Sequence, residues 1–174
     1  MTFSQAVFLD RDGTIIFDGN YISHPSEVRL LPGSAEALAL LRTANFKLFL
    51  FTNQSGVGRG KFPIDCVHLC NERMLELLGL GPALFTDICI ATESPDQPVV
   101  YRKPNPRFIN ESVEKHVLDR MRSWMVGDKL IDAEAGLNAG IGAALIGSHP
   151  HEALPNVQRF PSLFAFARAL VDQP

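Results

Sequence analysis

Short, unbroken apolar runs alternate along the chain with segments whose apolar residues recur every three or four positions. The runs AVFLD (6–10), KLFLFT (47–52), DICIAT (87–92), SWMVGD (123–128) and AALIG (143–147) predict buried strands. Helices are predicted over 33–46, 63–80, 105–118, 131–140 and 162–171. In the first, Ala37, Leu38, Leu41 and Ala44 share one face and Ser34 is a candidate cap. Pro63 and Pro106 stand near helix starts, and Gly79 and Gly81 mark a helix end. Strand alternating with helix predicts an α/β fold with a doubly wound, Rossmann-like parallel sheet. Strands buried on both faces need no polar alternation, and these runs show none.

No internal repeat or linker interrupts this pattern, and 174 residues fit one domain, 1–174. Two connections are long. The segment 13–32 exceeds what a simple crossover needs, and TESPDQPVVYRKPNP (92–106) holds four prolines. Connections of that length tend to be functional.

Composition narrows the function classes. Hydrophobic residues make up 46% of the chain, enough to fill a core, which excludes intrinsic disorder. A net charge of -3 is too balanced for a nucleic-acid footprint or an acidic tail. The first residues lack a basic region followed by a long apolar one, and no apolar run approaches the ~20 residues a bilayer span needs. Three cysteines without framework spacing suit a reducing compartment. The expectation is a cytoplasmic monomer with no nucleic-acid or membrane partner. Cys66 and Cys70 lie on one helical face with His68 turned away, which predicts core thiols, not a metal site. Phe160, Phe164 and Phe166 predict core packing for the last helix, and Trp124 a structural role. His149 and His151 flank Pro150 in a predicted surface turn.

Open parallel sheets build sites at the carboxyl ends of their strands. The first strand ends at Asp10, with Asp12 two residues on; the second ends in TNQSG (52–56); the fourth ends in GDK (127–129). The loop after the third carries Arg102 and Lys103. Three carboxylates gathered on one rim repel each other unless something neutralises them, and hard oxygen ligands select Mg²⁺. Thr52, the N–H of Asn53 and the ammonium of Lys103 suit a phosphate group. Asp10, ionised at neutral pH at an ordinary pKa near 3.9, is the natural nucleophile toward phosphorus. Asp12, just beyond the strand, is placed to protonate the leaving oxygen and later deprotonate a water.

The set DRDGT (10–14), TNQSG (52–56), RKP (102–104) and GDK followed by Asp132 resembles the haloacid dehalogenase (HAD) superfamily. Within it, the chain is similar to the D-glycero-D-manno-heptose bisphosphate phosphatases and the histidinol-phosphate phosphatases. The resemblance covers about residues 6–147. It implies a fully parallel sheet with the first strand central. It implies Asp10 as nucleophile and Asp12 as acid/base, with Mg²⁺ held by Asp10, the carbonyl of Asp12, and Asp128. Thr52 and Lys103 would stabilise the transferred phosphoryl, and Arg102 would recognise substrate. Asp18 and Tyr21 within DGNY (18–21), Gln54, Ser55 and Lys129 fall where such relatives contact substrate. A second aspartate two after the nucleophile goes with phosphatases and phosphomutases; dehalogenases lack it, and ATPase relatives usually carry threonine.

One feature of those bisphosphate phosphatases has no counterpart. They carry a zinc loop of Cys-x-His and Cys-x-Cys elements after the third strand, whereas ATESPDQPVVYRKP (91–104) has neither cysteine nor histidine. No structural zinc is expected. No segment is long enough for a large cap domain, so an open site is expected, able to accept a substrate bulkier than a simple sugar phosphate.

The expected reaction is Mg²⁺-dependent hydrolysis of a phosphate monoester of a sugar phosphate, of heptose 1,7-bisphosphate type, through a phospho-aspartate. Histidinol phosphate is the alternative substrate. A nucleic-acid end-phosphatase is disfavoured by the lack of basic excess, and a non-catalytic phosphate binder by the joint presence of Asp12, Lys103 and Asp128. Blander roles stand beside these. Asp10 and Asp12 alone read equally as a strand end entering an Asp-Gly turn. Thr52-Asn53 reads also as a helix cap, Arg102-Lys103 as a solvated basic pair, and Asp132 either as an orienter of Lys103 or a metal water, or as a surface carboxylate at a helix start. Lys129 is similarly open.

Overall fold

A computed structural model describes residues 3–147 and 154–172. Among these residues six parallel strands form one sheet in the order β3-β2-β1-β4-β5-β6. They are β1 (Ala6–Leu9), β2 (Lys47–Asn53), β3 (Asp87–Ala91), β4 (Trp124–Gly127), β5 (Gly142–Ile146) and β6 (Val157–Phe160). The helices are α1 (Ser34–Thr43), α2 (Ser55–Gly58), α3 (Ile64–Leu78), α4 (Arg107–His116), α5 (Leu130–Asn138) and α6 (Leu163–Val171). The first strand is interior, as expected, between β2 and β4.

Side-chain alternation along the strands divides two cores. Val7, Leu9, Leu48, Leu50, Val126 and Ile146 face one side, against Leu38 and Leu41 of α1, Cys70 and Met74 of α3, and Phe166 of α6. Ala6, Phe8, Phe49, Phe51 and Met125 face the other, against Phe108 and Ile109 of α4 and Ala135 of α5. Phe8 stacks on Phe49 at 4.6 Å and meets Phe108 edge-on at 5.9 Å. Burying both faces of β1 explains its unbroken apolar run and leaves its polar residues only one place, the carboxyl end.

Four differences from the sequence expectations have physical reasons. The sixth strand, β6, was not expected: VQRF is an edge strand with both middle residues exposed, so it lacks an apolar run. Ser34 does not cap α1. Gly33, in the left-handed region at φ 80°, takes that place, and the buried Ser34 Oγ donates instead to Ile15 O at 2.9 Å. Thr52 and Asn53 are not a cap either, because β2 runs through both and Gln54 precedes α2. Of the three phenylalanines expected to pack the last helix, Phe166 is buried against Trp124 and Phe160, and Phe160 packs on it from β6, but Phe164 is 40% exposed. Cys70 and Cys89 are buried thiols, whereas Cys66 is half-buried. His68 is exposed. The expected turn at His149 and His151 lies outside the described residues. Among the described residues, no helix is long and apolar enough to cross a membrane.

Candidate active site

The carboxyl ends of β1, β2 and β4 and the two long connections meet at one cleft of about 230 Å³. The cleft is lined by Asp10, Asp12, Asp18, Tyr21, Asn53, Gln54, Ser55, Arg102, Lys103 and Lys129, all expected from sequence, with Asn20, Ile22, Ile131 and Asp132. Thr52 and Asp128 are buried beside it. The segment 13–32 earns its length twice. Ile15, Ile16, Ile22 and Val28 are core residues, and the stretch between them carries Asp18, Asn20 and Tyr21 to the rim.

At the centre Lys103 joins two carboxylates. Its Nζ lies 2.7 Å from Asp10 Oδ1 and 2.6 Å from Asp132 Oδ1, with all three side chains buried. Asp132 is therefore not a surface carboxylate. Its second oxygen accepts the Lys129 N–H at 3.0 Å, fixing the start of α5. Nor are Arg102 and Lys103 a solvated pair, since Lys103 is 2% exposed and Arg102 half-buried. Burial drives Asp10 up to about 7 despite the opposing pull of Lys103, so the ordinary carboxylate value assumed from sequence does not hold here. Burial also works against the Lys103 charge, but the two carboxylates outweigh it and hold Lys103 above the usual lysine value. The ammonium is thus the stable charge of the cluster, and Asp10 the group that gives up its charge as pH falls.

Asp12 has a cation for a neighbour. The Arg11 guanidinium meets it through Nε at 3.0 Å and Nη2 at 3.3 Å, and Arg11 is completely buried. Arg11 Nη1 donates to Asn71 Oδ1 of α3 at 2.9 Å. Gln54 Nε2 lies 2.8 Å from Asp12 Oδ2 and 2.9 Å from Thr52 Oγ1, linking the second strand's hydroxyl to the second aspartate. Sequence reasoning missed Arg11 and Asn71. A charge locked between two aspartates at a strand end was the available signal for Arg11. Asn71 carried none, because it lies on a helix 60 residues away.

Asn53 contributes through its side chain. It donates Nδ2–H to Lys103 O at 3.2 Å and accepts the Lys103 N–H at 3.0 Å, so β2 holds the backbone on which Lys103 rides. Lys129 Nζ lies 2.9 Å from Asp18 Oδ2 across the mouth. Burial raises Asp18, but the bonds from Lys129 and the Asn20 N–H outweigh it and keep this carboxyl below its usual range.

The comparisons with known proteins agree with this geometry. A family profile described as HAD-hydrolase-like matches residues 100–165. The D-glycero-D-manno-heptose-1,7-bisphosphate 7-phosphatase of Chlorobaculum tepidum is 35% identical over 168 residues, covering 88% of this chain and 84% of that protein. The chain belongs to the HAD superfamily. The D-glycero-beta-D-manno-heptose-1,7-bisphosphate 7-phosphatase of Mesorhizobium japonicum is 40% identical over 146 residues, 78% of this chain and 66% of that relative. The crystal structure of D,D-heptose 1,7-bisphosphate phosphatase from B. bronchiseptica, complexed with magnesium and phosphate, aligns at TM-score 0.86 and 27% identity. It covers 98% of this chain and 99% of that one.

HAD phosphatases generally use Mg²⁺, and the donor set of this chain fits it. Asp10, Asp128 and Asp132 each offer a carboxylate oxygen, all within 4.8 Å of one another. Asp132 carries Lys103 on one oxygen and the Lys129 N–H on the other, whereas Asp10 and Asp128 stand where the adjacent strands β1 and β4 end side by side. Burial raises Asp128 above its ordinary value, the cost expected of a carboxylate kept in place for a cation. Gly13, at φ +79°, permits this closeness: a Cβ there would stand 2.3 Å from Asp128 Oδ2.

Proposed function

We propose that this HAD-superfamily chain is a Mg²⁺-dependent phosphatase acting on a sugar bisphosphate of heptose 1,7-bisphosphate type, with Asp10 as nucleophile and Asp12 as acid/base. The observation that carries the reading is the buried Asp10–Lys103–Asp132 cluster beside Asp12 at one strand end. Mg²⁺, held by Asp10, Asp128 and the carbonyl of Asp12, would offset the charge of the phosphoryl group. The Asp10 carboxylate attacks phosphorus, the ester P–O bond breaks, and Asp12 passes a proton to the departing alkoxide. Water then attacks the phosphoryl on Asp10 while Asp12 takes its proton. The acyl-phosphate P–O bond breaks and Asp10 returns as a carboxylate. Thr52, Asn53 and Lys103 hold the transferring oxygens. Asp18, Tyr21, Gln54, Ser55, Arg102 and Lys129 line the space for the rest of the substrate. The substrate class rests on the 35% and 40% identical relatives and their names.

Phosphate release with Mg²⁺, measured on heptose 1,7-bisphosphate, histidinol phosphate and an aryl phosphate, tests the reading. The bisphosphate is expected to have the highest kcat/KM, and Asp10→Asn is expected to abolish release from all three. Release that survives in Asp10→Asn would refute the phospho-aspartate route. A preference for histidinol phosphate would replace the substrate.

A further inference from the structure

The loop between β3 and Lys103 is organised around one carboxylate. Glu93 Oε1 accepts three consecutive backbone N–H groups, from Val100 at 2.9 Å, Tyr101 at 2.6 Å and Arg102 at 3.2 Å. The main-chain carbonyl of the same residue accepts from Arg102 Nη1 at 3.1 Å. Glu93 thus grips Arg102 at both ends, its amide through the side chain and its guanidinium through the backbone. Burial pushes the Glu93 carboxyl up, but the amides of Tyr101, Val100 and Arg102 outweigh this and hold it below the usual range, so it is anionic in its grip at neutral pH.

Arg102 differs from the other cations of the cleft. Lys103 is committed to Asp10 and Asp132, and Lys129 to Asp18. Among the described residues Arg102 has no ion-pair partner, and its guanidinium bonds only the neutral Glu93 carbonyl. A guanidinium fork of fixed orientation, with spare donors and its charge unmatched, is suited to a bidentate anion.

We infer that Glu93 is a positioning residue that sets Arg102 against the phosphate of the substrate remote from the bond being broken. The inference rests on the bisphosphatase reading above. Lys103 is anchored separately, by the Asn53 side chain and by two carboxylates. Loosening Glu93 therefore releases Arg102 while the reacting centre keeps its geometry, and the loss falls on binding rather than on the chemical step.

Steady-state kinetics of Glu93→Ala, Glu93→Gln, Arg102→Ala and the Glu93→Ala/Arg102→Ala double variant test this, with heptose 1,7-bisphosphate and an aryl phosphate that has no second anion. Glu93→Ala is expected to raise KM for the bisphosphate about 10-fold with kcat within about 2-fold, and to change KM for the aryl phosphate less than about 2-fold. Glu93→Gln, which keeps an acceptor oxygen of the same reach, is expected to stay within about 3-fold of wild type. The double variant is expected to be no worse than Arg102→Ala, because both act through one guanidinium. Equal losses on both substrates, or single losses that multiply in the double variant, would overturn the assignment and leave Glu93 a loop staple. If wild type does not turn over the bisphosphate, the substrate reading fails separately. The same comparison then runs on the bisphosphate's inhibition constant against aryl phosphate turnover, where an unchanged constant in Glu93→Ala refutes the positioning role.

Discussion

Lys103 is a cation enclosed by two acids at 2.6 and 2.7 Å, with almost no water to share the charge. Removing one member of such a cluster costs more than the bond itself, because the remaining charges stay buried without a partner. Lys103→Met is expected to destabilise the metal-free protein by about 3 kcal/mol and to lower kcat by at least about 100-fold. Urea denaturation and phosphate release measure the two effects. Asn71→Ala acts on a different residue chain: it strips the acceptor from Arg11 Nη1, inside a side chain with no exposure. A loss of about 1–3 kcal/mol is expected in the same denaturation assay. A value near zero would mean that Arg11 finds another acceptor.

At the level of elements, the turn from β1 into Gly13 carries the site. Asp10 N–H still bonds Val126 O at 2.9 Å, so the nucleophile's backbone belongs to the sheet, and Gly13 then reverses the chain next to Asp128 at the end of β4. Gly13→Ala puts a methyl group into Asp128 at a φ that side chains resist. Loss of Mg²⁺-dependent thermal stabilisation is expected, seen as a Tm that no longer responds to the ion. The same turn shows what a sequence can reveal. AVFLDRDGT displays its strand, its paired acids and its glycine in order, and the five apolar strands, with TNQSG and GDK at their ends and RKP in the loop after the third, identified most of the cleft's lining. β6 was illegible because an edge strand with two exposed side chains has no apolar signature. α2 is four residues long, too short for any periodicity. The contacts Arg11–Asn71, Asn53–Lys103 and Glu93–Arg102 depend on how separate segments meet, and local pattern does not encode that.

Across the whole molecule, a cation would tie together the ends of two adjacent strands, since β1 leads into Asp10 and β4 into Asp128. The charge state of Asp10 decides how strongly. Burial lifts it from the ordinary 3.8 to about 7 without metal, so the folded chain binds this proton more tightly than the unfolded chain does. The contribution of Asp10 to stability is therefore complete below about pH 4 and is lost as pH rises through about 7. A divalent cation reverses that slope, because it needs the ionised carboxylate and competes with the proton for it. Added Mg²⁺ is expected to raise Tm little at about pH 5.5 and several-fold more at about pH 8. In Asp10→Asn, which carries no titrating group there, the response to Mg²⁺ is expected to be weak at both. Thermal melts of wild type and Asp10→Asn at the two pH values, with and without Mg²⁺, make the comparison. A wild-type shift that is equal at both would mean that Asp10 is already fully ionised in the metal-free fold, with Lys103 outweighing its burial. The steep dependence would instead make proton release from this one buried acid the step that couples ion binding to the stability of the entire sheet.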